Sequence, residues 1–151
     1  MKLSPLQLKG SHYPKIHLDW VEASSISKGF QWKLESSYAI SAESSRTWIV
    51  GLELTFQPTE SKAGFNGDIR IEGNFEVLPE VPDERIERLV AVNAPSVLAG
   101  MLRETAIYLT RRSPGTAFVL PSVSFIDQEI FPSEGAEEVE KTVIIENSST
   151  E

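Results

Sequence analysis

The sequence predicts an α+β domain, a four-stranded antiparallel sheet followed by two helices packed on one face. Over the first half of the chain, apolar residues recur at every second position in several separate segments. After Pro79 and Pro82 the spacing lengthens to that of a helix. Length supplies the third observation, because 151 residues suit one domain with a real core.

The first candidate strand is short, residues 16–20, where Ile16, Leu18 and Trp20 face one way. Residues 30–40 set Phe30, Trp32, Leu34, Tyr38 and Ile40 on one face, with Gln31, Lys33 and Glu35 between them. Residues 47–56 align Trp48, Val50, Leu52, Leu54 and Phe56, although Ile49 interrupts the polar face. Residues 68–77 oppose Ile69, Ile71, Phe75 and Val77 to Asp68, Arg70, Glu72, Asn74 and Glu76. Such alternation marks antiparallel strands with one buried and one wet face. Turn-rich stretches at 24–29, 41–45 and 58–67 separate them. Within the last, Gly64-Phe65-Asn66-Gly67 lacks the lysine and helix of a phosphate loop and reads as a hairpin turn.

Asp83 is placed to cap a first helix that carries Ile86, Leu89 and Val90 at helical spacing. Asn93-Ala94-Pro95 is expected to break it, since a residue before proline is pushed out of the α region. Pro95 suits the first turn of a second helix ending near Arg111 and Arg112, where positive charge complements the dipole. Leu98, Leu102, Thr105 and Leu109 form one stripe, flanked by Val97, Met101 and Tyr108. The first half of that helix is apolar nearly all round and calls for cover on more than one side, so self-association is expected. Val97, Leu98, Met101, Leu102 and Tyr108 are its candidate oligomerisation residues. Ser113-Pro114-Gly115 ends the helix, and residues 117–125 follow as an extended apolar run. Residues 1–132 are thus read as the domain and residues 133–151 as an acidic, flexible tail, in which Val143-Ile144-Ile145 is too short to fold alone.

Composition narrows the function. A net charge of -8 makes nucleic acid a poor partner and basic polypeptide surfaces better ones. With no cysteine there is no disulfide framework and no thiolate chemistry. No apolar leader or membrane-length run is present, so a cytoplasmic chain without membrane insertion is expected. His12 and His17, with Asp19 nearby, fall short of the three or four ligands a metal needs, and no metal or other cofactor is expected. No G-x-S-x-G elbow accompanies the many serines, so no catalytic residues are assigned and an enzyme is not expected.

Two binding surfaces are candidates. If the strands pair in sequence order, Glu53, Asp68, Glu72 and Glu76 share the wet face with Arg70 and Lys33. That pattern is either an ordinary solvated face or a docking surface for a basic partner. Trp32, Trp48 and Phe65 are either core and turn anchors or walls of a groove for extended apolar peptide.

The element order and several quoted segments resemble the SecB protein-export chaperones. Ala94-Pro95-Ser96-Val97-Leu98 with Arg103-Glu104 is similar to the segment that opens the family's long helix. Leu120-Pro121-Ser122-Val123-Ser124-Phe125 is similar to the proline- and phenylalanine-containing segment after it, and Gly73-Asn74-Phe75 to a Gly-x-Phe in the fourth strand. Gly100 and Ser122 stand where the family often has proline. The resemblance implies a homotetramer, a dimer of dimers, holding unfolded polypeptides or preproteins in apolar grooves without ATP. It implies delivery to the SecA motor, or alternatively protection of an antitoxin in a toxin–antitoxin–chaperone system. It places Trp32, Leu34 and Phe65 at groove positions and Asp68 at an acidic docking position. A scaffold of the same fold, or an enzyme or small-ligand binder of that fold with a pocket of convergent polar groups, are the readings from other classes.

Overall fold

The computed structural model describes residues 1–59, 61–112 and 115–127, together with the backbone of residues 143–148. Alternating apolar residues produce four long antiparallel strands: β1 (Leu6–Val21), β2 (Phe30–Ser41), β3 (Ser44–Pro58) and β4 (Gly64–Val77). A single helix α1 (Asp83–Thr110) crosses one face, and a short strand β5 (Val143–Ser148) completes a sheet of order β1-β4-β3-β2-β5. The core lies between sheet and helix. Leu52, Leu54, Ile69, Ile71 and Phe75 rise from the strands to meet Val90, Ala94, Leu98 and Leu102.

β2, β3 and β4 pair in sequence order, but β1 pairs with β4. The chain therefore crosses the sheet end through residues 22–29. That crossing is tied to the β3–β4 turn by a bridge between Ile26 and Ala63 and by Ser27 N–H donating to the Ala63 carbonyl at 2.8 Å. β1 is far longer than the expected residues 16–20. Its alternation is broken by register shifts between Leu8 and Gly10 and between His12 and Lys15. Bulges of this kind are common at sheet edges, where they twist a free edge away from unwanted pairing.

Where two helices were expected, one runs without interruption past Pro95. Proline removes the amide that would have bonded the Ala91 carbonyl four residues earlier. The buried Tyr38 hydroxyl on β2 donates to that carbonyl at 3.3 Å, so the helix continues without a stranded acceptor. Asn93 Nδ2 donates to the Leu89 carbonyl at 2.9 Å, and Ser96 Oγ to the Val92 carbonyl at 2.6 Å. Both side chains bridge the weakened turn. Asp83 is the first helical residue and not its cap. Pro82 holds the cap position, and Arg46 reaches from β3 to bind Asp83 at 2.6 Å and the Leu78 and Val81 carbonyls at 2.9 and 3.0 Å.

Gly64-Phe65-Asn66-Gly67 lies within β4 and is not a hairpin turn. Phe56 and Leu18 occupy the space where a Gly67 side chain would stand, so glycine lets the neighbouring strands pack over β4. After the helix, residues 115–127 fold back along α1 as a strap. Phe118 N–H donates to Thr110 Oγ1, Arg103 to the Leu120 and Pro121 carbonyls, and Arg88 to the Ile126 carbonyl. Phe118, Leu120 and Phe125 are buried beneath the strap. Residues 143–148, read from the sequence as tail, pair antiparallel with β2. A segment too short to fold alone gains backbone partners from a strand already in place. The boundary expected after residue 132, and residues 133–142 and 149–151 of the tail, lie outside the described residues.

Candidate functional site

Strand register gathers a row of apolar residues across the helix-side face where α1 ends. Trp32 opposes Phe56, Phe56 opposes Gly67, and Gly67 opposes Leu18. One step further out, Trp20 opposes Phe65 with ring centroids 5.3 Å apart and planes at 84°. Phe118 from the strap stacks on Phe56 at 4.2 Å and meets Phe30 edge-on at 5.3 Å. Edge and offset contacts of this type add to simple area burial, so the cluster is a rigid aromatic platform.

The platform is only partly covered. Trp20, Phe30, Trp32 and Phe65 are half-buried, and Ile16 on the adjoining edge of β1 is 51% exposed. The crossing loop roofs one end, where Trp20, Ile26, Phe30 and Gly115 close around a crevice too narrow to admit a water molecule. Gly115 takes a φ of +141°, and the Ile26 side chain packs where a Cβ would project. Only glycine can open the strap at that point without strain.

Of the four residues assigned to a client groove, Trp32 and Phe65 stand on this platform. Leu34 and Trp48 do not line it as open surface: they are 1% and 2% exposed, because the strand face they occupy is covered by α1 and the strap. Trp20, Phe30, Phe56 and Phe118 belong to the cluster and were not assigned to it from the sequence. The signal for Trp20 was present in its alternation with Leu18 and Ile16. Phe118 joins through a fold-back that spacing alone does not reveal.

The wet face brings Glu53, Asp68, Glu72 and Glu76 to one side of the sheet, each with a cation. Lys15 bridges Asp68 and Glu53, and that double attachment, Asp68 foremost, raises its pKa above the ordinary lysine value. Arg70 binds Glu72 at 3.0 Å and Glu53 at 3.4 Å, and reaches Ser37 Oγ at 3.0 Å on β2. Gly51 makes that reach possible, since a Cβ there would lie 2.6 Å from the guanidinium. His12 faces Glu72 at 3.5 Å, and Lys9 binds Glu76 at 2.9 Å. His17 pairs with Asp19 at 2.6 Å, and among the described residues no three potential ligands converge on a metal site.

The oligomerisation candidates divide by helix face. Leu98 and Leu102 are fully buried against the sheet and offer nothing to a partner. Val97 and Tyr108, 45% and 49% exposed, lie on the outer face with half-buried Met101. Arg111 and Arg112 both hold their guanidinium carbons about 5 Å from the Tyr108 ring centre. Tyr13 from the β1 bulge donates its hydroxyl to the Met101 carbonyl at 3.3 Å and shares a hydrogen bond with Thr105 Oγ1 at 2.6 Å, which anchors the edge strand to this helix. No described helix is long and apolar enough to cross a membrane.

No protein-family model matches the chain, and no curated protein matches it by sequence. Among solved structures it is similar to the Mycobacterium tuberculosis Rv1957 SecB-like chaperone, determined in complex with a ChAD peptide from the Rv1956 HigA1 antitoxin. The TM-score is 0.62, with 80% of this chain and 88% of that chain covered at 15% sequence identity. An antiparallel sheet crossed by one long helix, together with that likeness, gives the chain a SecB-like fold in divergent form.

Proposed function

We propose that this protein is an ATP-independent holdase, a chaperone that binds non-native polypeptide on the aromatic end of its sheet and keeps it from aggregating. The observation that carries this reading is the half-buried platform of Trp20, Trp32 and Phe65, which leaves apolar surface beside the strand edges. Burial at about 25 cal/mol per Å² makes apolar peptide binding favourable without sequence specificity. Several such contacts along one chain slow its release. No enzymatic step is part of the proposal.

The client class has two versions. Delivery of preproteins to the SecA motor in the cytoplasm would use the acidic face for docking. The four docking candidates there share Lys9, Lys15 and Arg70 in ion pairs, so most of the negative charge on that face is already engaged. The complex of the structural neighbour with an antitoxin peptide favours the second version, a dedicated antitoxin client. The outer face of α1, with Val97, Met101 and Tyr108, is proposed as the assembly surface of a homotetramer.

The test is light scattering of a denatured, slow-folding preprotein diluted into buffer with this protein and no nucleotide. Suppression at near-stoichiometric ratios is expected. Trp32→Asp and Phe65→Asp should each lose at least about tenfold in client affinity, the cost of placing a charge on an apolar contact, while circular dichroism stays unchanged. Unaltered affinity in both folded variants would remove the platform from the binding site.

A further inference from the structure

β3 pairs with β2 along the whole strand, from Phe30 opposite Pro58 to Ser41 opposite Ser44. β2 therefore needs no second neighbour to remain in the sheet. Its other edge nevertheless carries β5, from Gln31 opposite Ser148 to Ser36 opposite Val143. β5 stands at the end of the sheet and pairs with β2 alone. Residues 128–142 separate it from the strap. A six-residue strand with one neighbour adds little stability of its own. It covers the stretch of edge that includes half-buried Trp32, from Gln31 to Ser36.

An extended polypeptide that docks by strand addition would use the same backbone donors and acceptors that β5 now satisfies. We infer that β5 is a tethered competitor: it occupies the β2 edge on which an extended client segment pairs, and a client is held by displacing it. The inference rests on the reading of the protein as a client-binding chaperone. Backbone pairing tolerates many sequences, so a foreign segment can replace β5 without resembling it. Trp32 on the same edge favours segments that bring apolar side chains. β5 belongs to the same chain as the edge it covers, so a client competes with an intramolecular pairing and weakly binding chains fail to enter.

The probe is reduced, carboxymethylated lactalbumin, permanently unfolded and fluorescently labelled, with affinity read by anisotropy. Three proteins are compared: the full chain, the chain ended after Thr142, and the full chain with Lys33→Cys and Glu146→Cys, two positions opposite one another in the register. The native chain has no cysteine, so an intramolecular disulfide in this variant can only join β2 to β5. Ending the chain after Thr142 should tighten the probe Kd about tenfold, as expected if the open edge is a minor population in the full chain. The oxidised double variant should lose the probe, and reductant should restore it. An unchanged or weaker Kd after truncation, or equal binding by oxidised and reduced forms, would overturn the inference. So would failure of the two thiols to join under mild oxidation. If the folded truncated chain and the full chain both ignore the probe, the general holdase reading on which the inference rests falls with it.

Discussion

Pro95 removes one amide from α1, and Tyr38 replaces it from the opposite layer, so a sheet residue decides whether a helix continues. Tyr38→Phe would leave the buried Ala91 carbonyl without that donor, a cost of about 1–3 kcal/mol read from a urea titration. Burial pushes the Tyr38 phenol above its ordinary value of 10.0, with Ser36 opposing the shift. The fold thus holds the neutral phenol, and its contribution is whole below pH 10 and lost as pH rises through the elevated value. The gap in stability between wild type and Tyr38→Phe should therefore shrink as the titration is repeated above pH 10. A gap that widened there would mean the phenolate is tolerated inside the fold. None of this was legible in sequence, where Asn93-Ala94-Pro95 carries every sign of a helix boundary. Local sterics are visible in one dimension, but a donor 53 residues away is not.

At the level of elements, the long strands declared themselves wherever one face is buried and the other wet. β1 did so only over its last residues, because Gly10, Pro14 and the bulges interrupt its alternation. α1 sits close to the sheet at Gly73, where a Cβ would lie 2.8 Å from Phe75 and 3.0 Å from Leu8 and Leu98. Phe75 and Leu98 are fully buried and cannot yield freely, so Gly73→Ala should destabilise the domain by about 1–3 kcal/mol through overpacking, measured by urea unfolding. The strap is pinned chiefly by Arg103, whose guanidinium donates to the Leu120 and Pro121 carbonyls at 2.7 and 3.0 Å. Arg103→Ala should free it, raising amide hydrogen exchange over residues 117–125 while the exchange of β3 and β4 stays slow. Equal protection in both proteins would show that Phe118, Leu120 and Phe125 hold the strap unaided.

For the whole molecule, two outer surfaces remain to be matched with partners. The proposed assembly surface predicts that Val97→Asp lowers the mass measured by light scattering after gel filtration, without loss of helix signal. An unchanged mass would exclude the outer face of α1. On the sheet side, the carboxylates of Glu53, Asp68, Glu72 and Glu76 are largely offset by Lys9, Lys15 and Arg70. Salt screens such exposed pairs but not apolar contact. Client affinity measured by anisotropy should accordingly hold or strengthen as sodium chloride rises, and a steep loss would transfer the binding role to charge.

The alternation of apolar residues was enough to determine four antiparallel strands, the two faces of the sheet and the transition to helix, because each depends on side chains a few residues apart. The tertiary structure decided what depends on residues far apart. It joined the two expected helices through Tyr38, paired β1 with β4, placed Leu34 and Trp48 in the core and turned Leu98 and Leu102 inward. It also gave each acidic docking candidate a cation and set residues 143–148 on the edge of β2. Periodicity tells which residues avoid water, whereas the fold determines which neighbour covers them, and the candidate site depends on the surface left uncovered.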